Sequence, residues 1–455
     1  MNRRYGGLSL PNRRVARSSA GVPDRTGLVA WYSQGIGVTV TGAGVSQWDD
    51  QSGNDNHLLQ GTDTNRPAYL EHSSTNYLWL PGVAGNYAST PDAAALDILG
   101  DFDLRAKVAL DDWTPATNAM LVAKWDVDVV NENSYRLFVG ATGKLRIQLS
   151  GDGTNIVTVD STVAVGFTNG TVHWVKVTVD VDNGSGGKDI KFWTSDDNVT
   201  YTQLGTTVVD AGTTAIYASN VDLYIGVESP TSVNNITIGK LYQAQVYDGI
   251  DGTLVFDADF TAEAEGTTSF TESSAQGATV TVNSTGGWLA QIVGSTSILF
   301  DGDDNYLKAT AFTLNQPTTV YFLGRQVTWS NAAVFYGGDT AVTPRSFQIS
   351  STPRVAAHNG GTNTSHLTTW AVDTYAVFSV VFDSTTAITL QLNNNASVID
   401  TTSLGSNAWG GFTLGSEGGG GSSWSNIQVK EVIIYNVAHN AVQRHNVIQY
   451  LLAKN

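Results

Sequence analysis

The sequence predicts an all-β protein: two tandem antiparallel β-sandwich domains behind an extended N-terminal arm, with a short C-terminal helix. Three observations carry this. Apolar–polar alternation recurs in short segments separated by Gly, Asn and Asp turns. Glycine is abundant (47 of 455 residues) while charged residues make up only 14%, the makeup of a strand- and turn-rich chain. The two halves also repeat one another in order.

The repeat fixes the expected organisation. Residues 175–180 (VKVTVD) put Val175, Val177 and Val179 on one side of a strand, and residues 378–383 (FSVVFD) answer them. Residues 190–193 pair in the same way with 388–391, 223–228 with 412–417, and 246–248 with 434–436. Upstream, 80–87 answers 300–306 and 134–137 answers 346–349. A repeat this long is a duplicated domain, not a solenoid unit. The expected division is an arm at 1–26, a first sandwich at 27–250 and a second at 251–455. Only the first half shows an Asp/Asn-rich turn, at 49–56, and only the second shows a helical pattern. That pattern runs from 438 to 454, where Val442, His445, Ile448, Leu451 and Leu452 recur at helical steps.

Charge divides the chain differently. The formal net charge is −17, yet residues 1–26 hold Arg3, Arg4, Arg13, Arg14, Arg17 and Arg25 against the single acid Asp24. The remainder carries 18 basic and 40 acidic residues, a net of −22. A body this acidic repels nucleic acid and anionic membranes. Six Arg on such a body bind DNA weakly at physiological salt. Residues 1–7 (MNRRYGG) lack the apolar run of a secretory leader, and no stretch has the length of a membrane helix, so neither is expected. With no Cys, disulfides contribute nothing.

Several phrases are similar to the concanavalin A-like, laminin-G-type jelly-roll family. They are LVAWY (28–32), SQWDDQSGNDNH (46–57), FWTSDDNVTYTQLG (192–205), FDGDDNYL (300–307) and KEVIIYN (430–436). The resemblance spans about residues 27–455 and implies lectin-like jelly-roll sandwiches. Because such domains occur in bacteriophage virion proteins, it also supplies a virion context; it does not specify a chemistry, since the fold hosts many functions.

The residues themselves offer little catalysis. A retaining glycosidase needs two carboxylates about 5 Å apart, and no Glu-x-Asp-x-x-Glu strand occurs here. There is no Cys nucleophile, no Gly-x-Ser-x-Gly elbow and no zinc-type His pair. The expectation is therefore a non-enzymatic chain. Calcium is the one cofactor the loops suggest, because Asp49, Asp50 and Asp55 crowd one turn and Asp301, Asp303 and Asp304 another. The competing reading is that these carboxylates cap turn N–H groups. Sugar binding needs an aromatic plate beside polar groups. Trp409 and Trp424, flanking the Gly-rich segment 418–421, are the best such pair among the turn-adjacent Trp113, Trp125, Trp329, Trp370, Trp409 and Trp424.

The resulting expectation is a virion structural protein: a head decoration, fibre or tail-associated adhesion module. Arg3, Arg4, Arg13, Arg14 and Arg17 would dock it to capsid or tail subunits, with host glycans as further partners and a homo-oligomer as its state. The alternatives are a bacterial glycan-binding or cell-surface adhesion protein, and a polysaccharide hydrolase or lyase with unrecognised carboxylates.

Overall fold

Residues 25–454 are described by a computed structural model, apart from 43, 73, 213–214, 286–288, 311, 340–343, 350–352, 361–363, 366–368 and 402–404; of residues 1–24, only the backbone at Arg13–Arg14 is described. Arg3, Arg4 and Arg17 thus lie outside the described residues. Arg13–Arg14 pairs antiparallel with Val38–Thr41.

The chain forms two compact units, but not the two halves of the repeat. One unit is residues 72–295. The other joins the segment up to residue 71 with the segment from 296 onward. We call them the continuous and the split unit. The expected boundary at 250/251 is therefore corrected. Thr253–Asp259 returns from the turn at 249–252 and pairs with Ile238–Asp248, inside the continuous unit. Leu28–Tyr32 pairs instead with Asn426–Tyr435, 400 residues away along the chain.

In the continuous unit one sheet runs Thr202–Gln203, Gly187–Ser195, His173–Asp180, Phe102–Leu110, Ile238–Asp248, Tyr77–Pro81, Gln291–Val293. The second runs Ile156–Asp160, Leu145–Gly153, Asn133–Val139, Ala119–Lys124, Leu223–Ile225, Tyr87–Thr90, Thr279–Asn283, Ser269–Thr271. The predicted alternation explains the layering. Val175, Val177 and Val179 are fully buried with Leu104, Ala106 and Val108 in one core, while Lys176 and Thr178 point to the other side of the sheet. Burying such a side chain stabilises by about 1.5–3 kcal/mol, which sets the register of each strand.

The split unit repeats the plan. Its first sheet runs Val398–Asp400, Ala387–Leu392, Ala376–Asp383, Thr318–Gln326, Asn426–Tyr435, Ser297–Asp301, Ala68–Leu70. Its second extends from Val38–Thr41 through Leu307–Thr310 and Gly411–Leu414 to Arg354–His358 and Thr364–Ser365. Here the inner face is aromatic: Phe322, Phe335, Tyr336, Trp370, Phe382, Trp409 and Phe412 share one core.

One α-helix occurs among the described residues, Ala441–Leu452. Asn440 accepts the Gln443 N–H at 3.0 Å and Gln443 Oε1 accepts the Asn440 N–H at 3.0 Å, a reciprocal cap. Its buried stripe is Arg444, Val447, Ile448 and Leu451. This stripe is rotated from the expected one, because Val442 is 69% exposed and His445 faces solvent. The helix covers the outer face of the first sheet, where Trp31, Tyr321, Leu323, Val377, Ile433 and Tyr435 are apolar to receive it. Buried Glu431 anchors that layer: it accepts the Trp31 Nε1–H at 2.7 Å and the Tyr450 hydroxyl at 3.1 Å, and pairs with Lys454 Nζ at 2.6 Å.

Candidate binding face

Among the described residues no helix lies over the corresponding face of the continuous unit, and its chemistry is different. By the repeat, Lys176 stands where Ser379 does, and their cross-strand neighbours are Arg105 and Tyr321. The apolar seat for a helix is thus replaced by a cationic and aromatic surface. Arg105 donates twice to Asp103, Nε to Oδ1 at 2.9 Å and Nη2 to Oδ2 at 2.6 Å, and once to Asp251 at 2.5 Å. Lys176 reaches Asp251 at 2.9 Å. Burial works against the charge on Arg105, but the fork on Asp103 outweighs it and holds the guanidinium above its ordinary pKa. Asp251 is held below the usual carboxylate range, chiefly by the Lys176 hydrogen bond.

Aromatic rings stand on these cations. The Arg105 guanidinium lies 4.1 Å from the Tyr247 ring centre, and Lys176 Nζ lies 4.5 Å from that of Tyr201 and 5.5 Å from that of Trp193. Trp193 Nε1 donates to Thr178 Oγ1 at 3.2 Å, and the Tyr201 hydroxyl donates to Asn198 Oδ1 at 2.6 Å. Burial raises the pKa of both Tyr201 and Tyr247, so both phenols stay neutral donors. Further along the face Lys107 stands over Tyr242 and Lys240 over Tyr77. Trp193, Tyr201 and Tyr247 are each half-buried.

The residues singled out from sequence fall elsewhere. Trp409 is 0% exposed. Its Nε1–H donates to Thr318 Oγ1 at 3.0 Å and its ring packs on Phe382, Tyr336 and Phe412, so it is a core residue and presents no surface to a sugar. Trp424 is half-buried, and its buried Nε1 has no hydrogen-bond partner among the described residues. The expected Trp409–Trp424 platform is therefore corrected. Trp113, Trp125 and Trp370 are likewise interior, each part of a buried apolar cluster. The rings that line the open face were legible only in part: the 192–205 phrase contains Trp193 and Tyr201, but nothing in the pattern separates a surface ring from a core ring.

The acid turns serve the backbone. Asp50 Oδ1 accepts the N–H groups of Trp31 at 2.9 Å and Ser52 at 2.8 Å. Its Oδ2 accepts the Ser52 hydroxyl at 2.7 Å and the Asn56 N–H at 3.1 Å. Buried Asp49 takes Gln47 Nε2 at 2.6 Å, while Asp55 is an exposed residue at φ +60°. Asp301 Oδ1 accepts the N–H groups of Asp303 at 3.0 Å and Asp304 at 3.4 Å, and burial raises its carboxyl pKa. No group of three or more His, Cys, Asp or Glu able to hold a metal exists among the described residues. Calcium wants six to eight oxygens; in these turns the Asp49, Asp50 and Asp301 carboxylates already accept the hydrogen bonds given above.

A second carboxylate does what Asp50 does. Glu272 Oε2 accepts the N–H groups of Asp257 at 2.9 Å and Ser274 at 2.6 Å; its Oε1 accepts the Ser274 hydroxyl at 2.7 Å and the Ala278 N–H at 3.1 Å. Gly277, at φ +60°, takes the left-handed position that Asp55 holds in the first turn. The turn expected in the first half alone is thus present in both. Each unit is an antiparallel β-sandwich.

Comparisons with known proteins agree only loosely with these sandwiches. No family model and no curated protein matches the chain. Among solved structures, domains LG4-5 of the mouse laminin alpha1 chain align at 11% identity and a TM-score of 0.29, covering 82% of this chain and 93% of that one. A sialidase CBM40 from Ruminococcus gnavus, bound to alpha2,3 sialyllactose, aligns at 13% identity and 0.28, covering 40% and 90%. A pentraxin from Limulus polyphemus aligns at 12% and 0.27, covering 40% and 79%. At such scores the sandwich assignment rests on the strand order given above. No helix among the described residues is long and apolar enough to cross a membrane.

Proposed function

We propose that this chain is a non-enzymatic, lectin-like adhesion protein that binds glycans on the uncovered sheet face of its continuous unit. The observation that carries this is the set of half-exposed rings, Trp193, Tyr201 and Tyr247, held over Arg105 and Lys176. A sugar ring stacks its apolar face on such plates and hydrogen-bonds at its rim, and the phenols and the nearby Asn198 and Lys107 supply the rim. Because Asp103 and Asp251 already neutralise the cations, the rings are pre-set at little ordering cost. A glycan array with the intact chain should give binding that Trp193→Ala and Tyr247→Ala each weaken about tenfold, a loss of roughly 1.4 kcal/mol. Retained binding in both variants, with native circular dichroism, would sink this placement.

The finer reading seats the protein on a bacteriophage particle as a head-decoration, fibre or tail-associated component. It is supported by the six Arg of residues 1–26 on an otherwise acidic chain, since a short basic segment can order against an acidic protein surface. Removing residues 1–26 should abolish particle incorporation and leave both sandwiches folded; incorporation at the full level would defeat it.

A further inference from the structure

The repeat and the units divide the chain differently, and that mismatch has a consequence. Each copy of the repeat consists of a leading block, 28–70 or 253–293, followed by a main block, 77–248 or 297–435. The leading blocks are built alike. Each places its first strand on the closing strand of a main block, Leu28–Tyr32 on Asn426–Tyr435 and Thr253–Asp259 on Ile238–Asp248. Each places its last strand on the opening strand, Ala68–Leu70 on Ser297–Asp301 and Gln291–Val293 on Tyr77–Pro81. Each carries its own anchoring carboxylate, Asp50 or Glu272, whose four hydrogen bonds all stay within the block.

Neither leading block closes the main block that follows it. Residues 253–293 turn back onto 77–248, and residues 28–70 pass over a filled slot to close 297–435. We infer that the slot on 297–435 also accepts the 28–70 block of a second copy of this chain, so that copies folding together exchange it. The contacts that hold the block are strand pairing, the Trp31 indole on Glu431, and Gln60 Nε2 on the Tyr306 carbonyl at 3.0 Å. Every copy presents the same atoms, and exchange of an identical element adds no new interface. In the block's own chain, residues 72–295 separate it from its slot. Closure in cis therefore relies on the continuous unit, whose folding sets Tyr77 opposite Val293 and brings the two connections together. Before that, the slot sees its own block at the low effective concentration of a long flexible linker, and a neighbour's block competes.

The chain has no cysteine, so introduced thiols report closure cleanly. Leu70 and Ser297 face each other across the Ala68–Leu70 pairing, at a spacing a disulfide spans. The double variant Leu70→Cys/Ser297→Cys, refolded dilute, should close within one chain. The two single variants, unfolded and refolded together at high concentration, should give a covalent 70–297 dimer; mixing them already folded should give none. For the unsubstituted chain, light scattering should show a dimer fraction that rises with refolding concentration. A monomer at every concentration with no 70–297 link would overturn the inference. So would a dimer formed equally by Leu70→Cys alone, or a double variant that fails to close.

Discussion

Trp409→Ala should lower the stability of the split unit by about 3–5 kcal/mol, the largest effect expected of any residue singled out from sequence. The indole is 0% exposed, packs against Phe382, Tyr336 and Phe412, and donates to Thr318. Truncation leaves an indole-sized cavity among rings that cannot close over it, and strands the buried Thr318 hydroxyl without its donor. Glycan binding, assigned to the other unit, should be unchanged. Thermal or denaturant unfolding followed by tryptophan fluorescence checks the first part. A surface sugar plate would behave in the opposite way, with native stability and lost binding, and that outcome would reinstate Trp409 as a contact residue.

The paired carboxylates give the second large effect. Asp50→Ala should destabilise the split unit, and Glu272→Ala the continuous one, each by about 3 kcal/mol. Each side chain collects four donors in a buried setting, and its removal leaves backbone N–H groups with no acceptor. Because the two sites lie in different units with no shared partner, the double variant should show the sum of the single effects. Hydrogen exchange resolves the two: protection should fall around Trp31 in one variant and around Asp257 in the other. A loss below about 1 kcal/mol in either would mean that water replaces the carboxylate. Matched losses would establish that the turn at 49–56 and the turn at 272–278 are one device in two copies.

Much of the fold was legible because its signals are local. Alternation at 175–179 and 378–382 reports a buried strand face whatever lies above it. The helical steps of Val442, His445, Ile448 and Leu451 announce a helix, although the exact stripe was not readable: the sheet beneath chose Val447 over Val442. The candidate site was much less legible. Nothing in the sequence marks Trp193 as a surface ring or Trp409 as a core one; the structure packs Trp409 among the rings of the split unit's core and leaves Trp193 half-buried. The Asp50 turn stands out by its acids; the Glu272 turn, with Ser two residues later in both cases, does not, because Thr, Gln, Gly and Ala replace the other Asp and Asn residues around it.

That the chain is all-β, that it is a duplication, where most strands lie, and that a basic arm precedes an acidic body can all be read from the residues. Each of these follows from periodicity, composition or charge, which are properties of neighbouring residues. Only the tertiary structure decided which leading block closes which main block, and which aromatic rings remain outside. The two leading blocks carry the same strand pattern and the same anchoring carboxylate, so either satisfies either slot by pattern alone. The choice is made by connection length and packing: a turn of four residues, 249–252, returns 253–293 to the main block just completed, and residues 28–70 close the slot that is left.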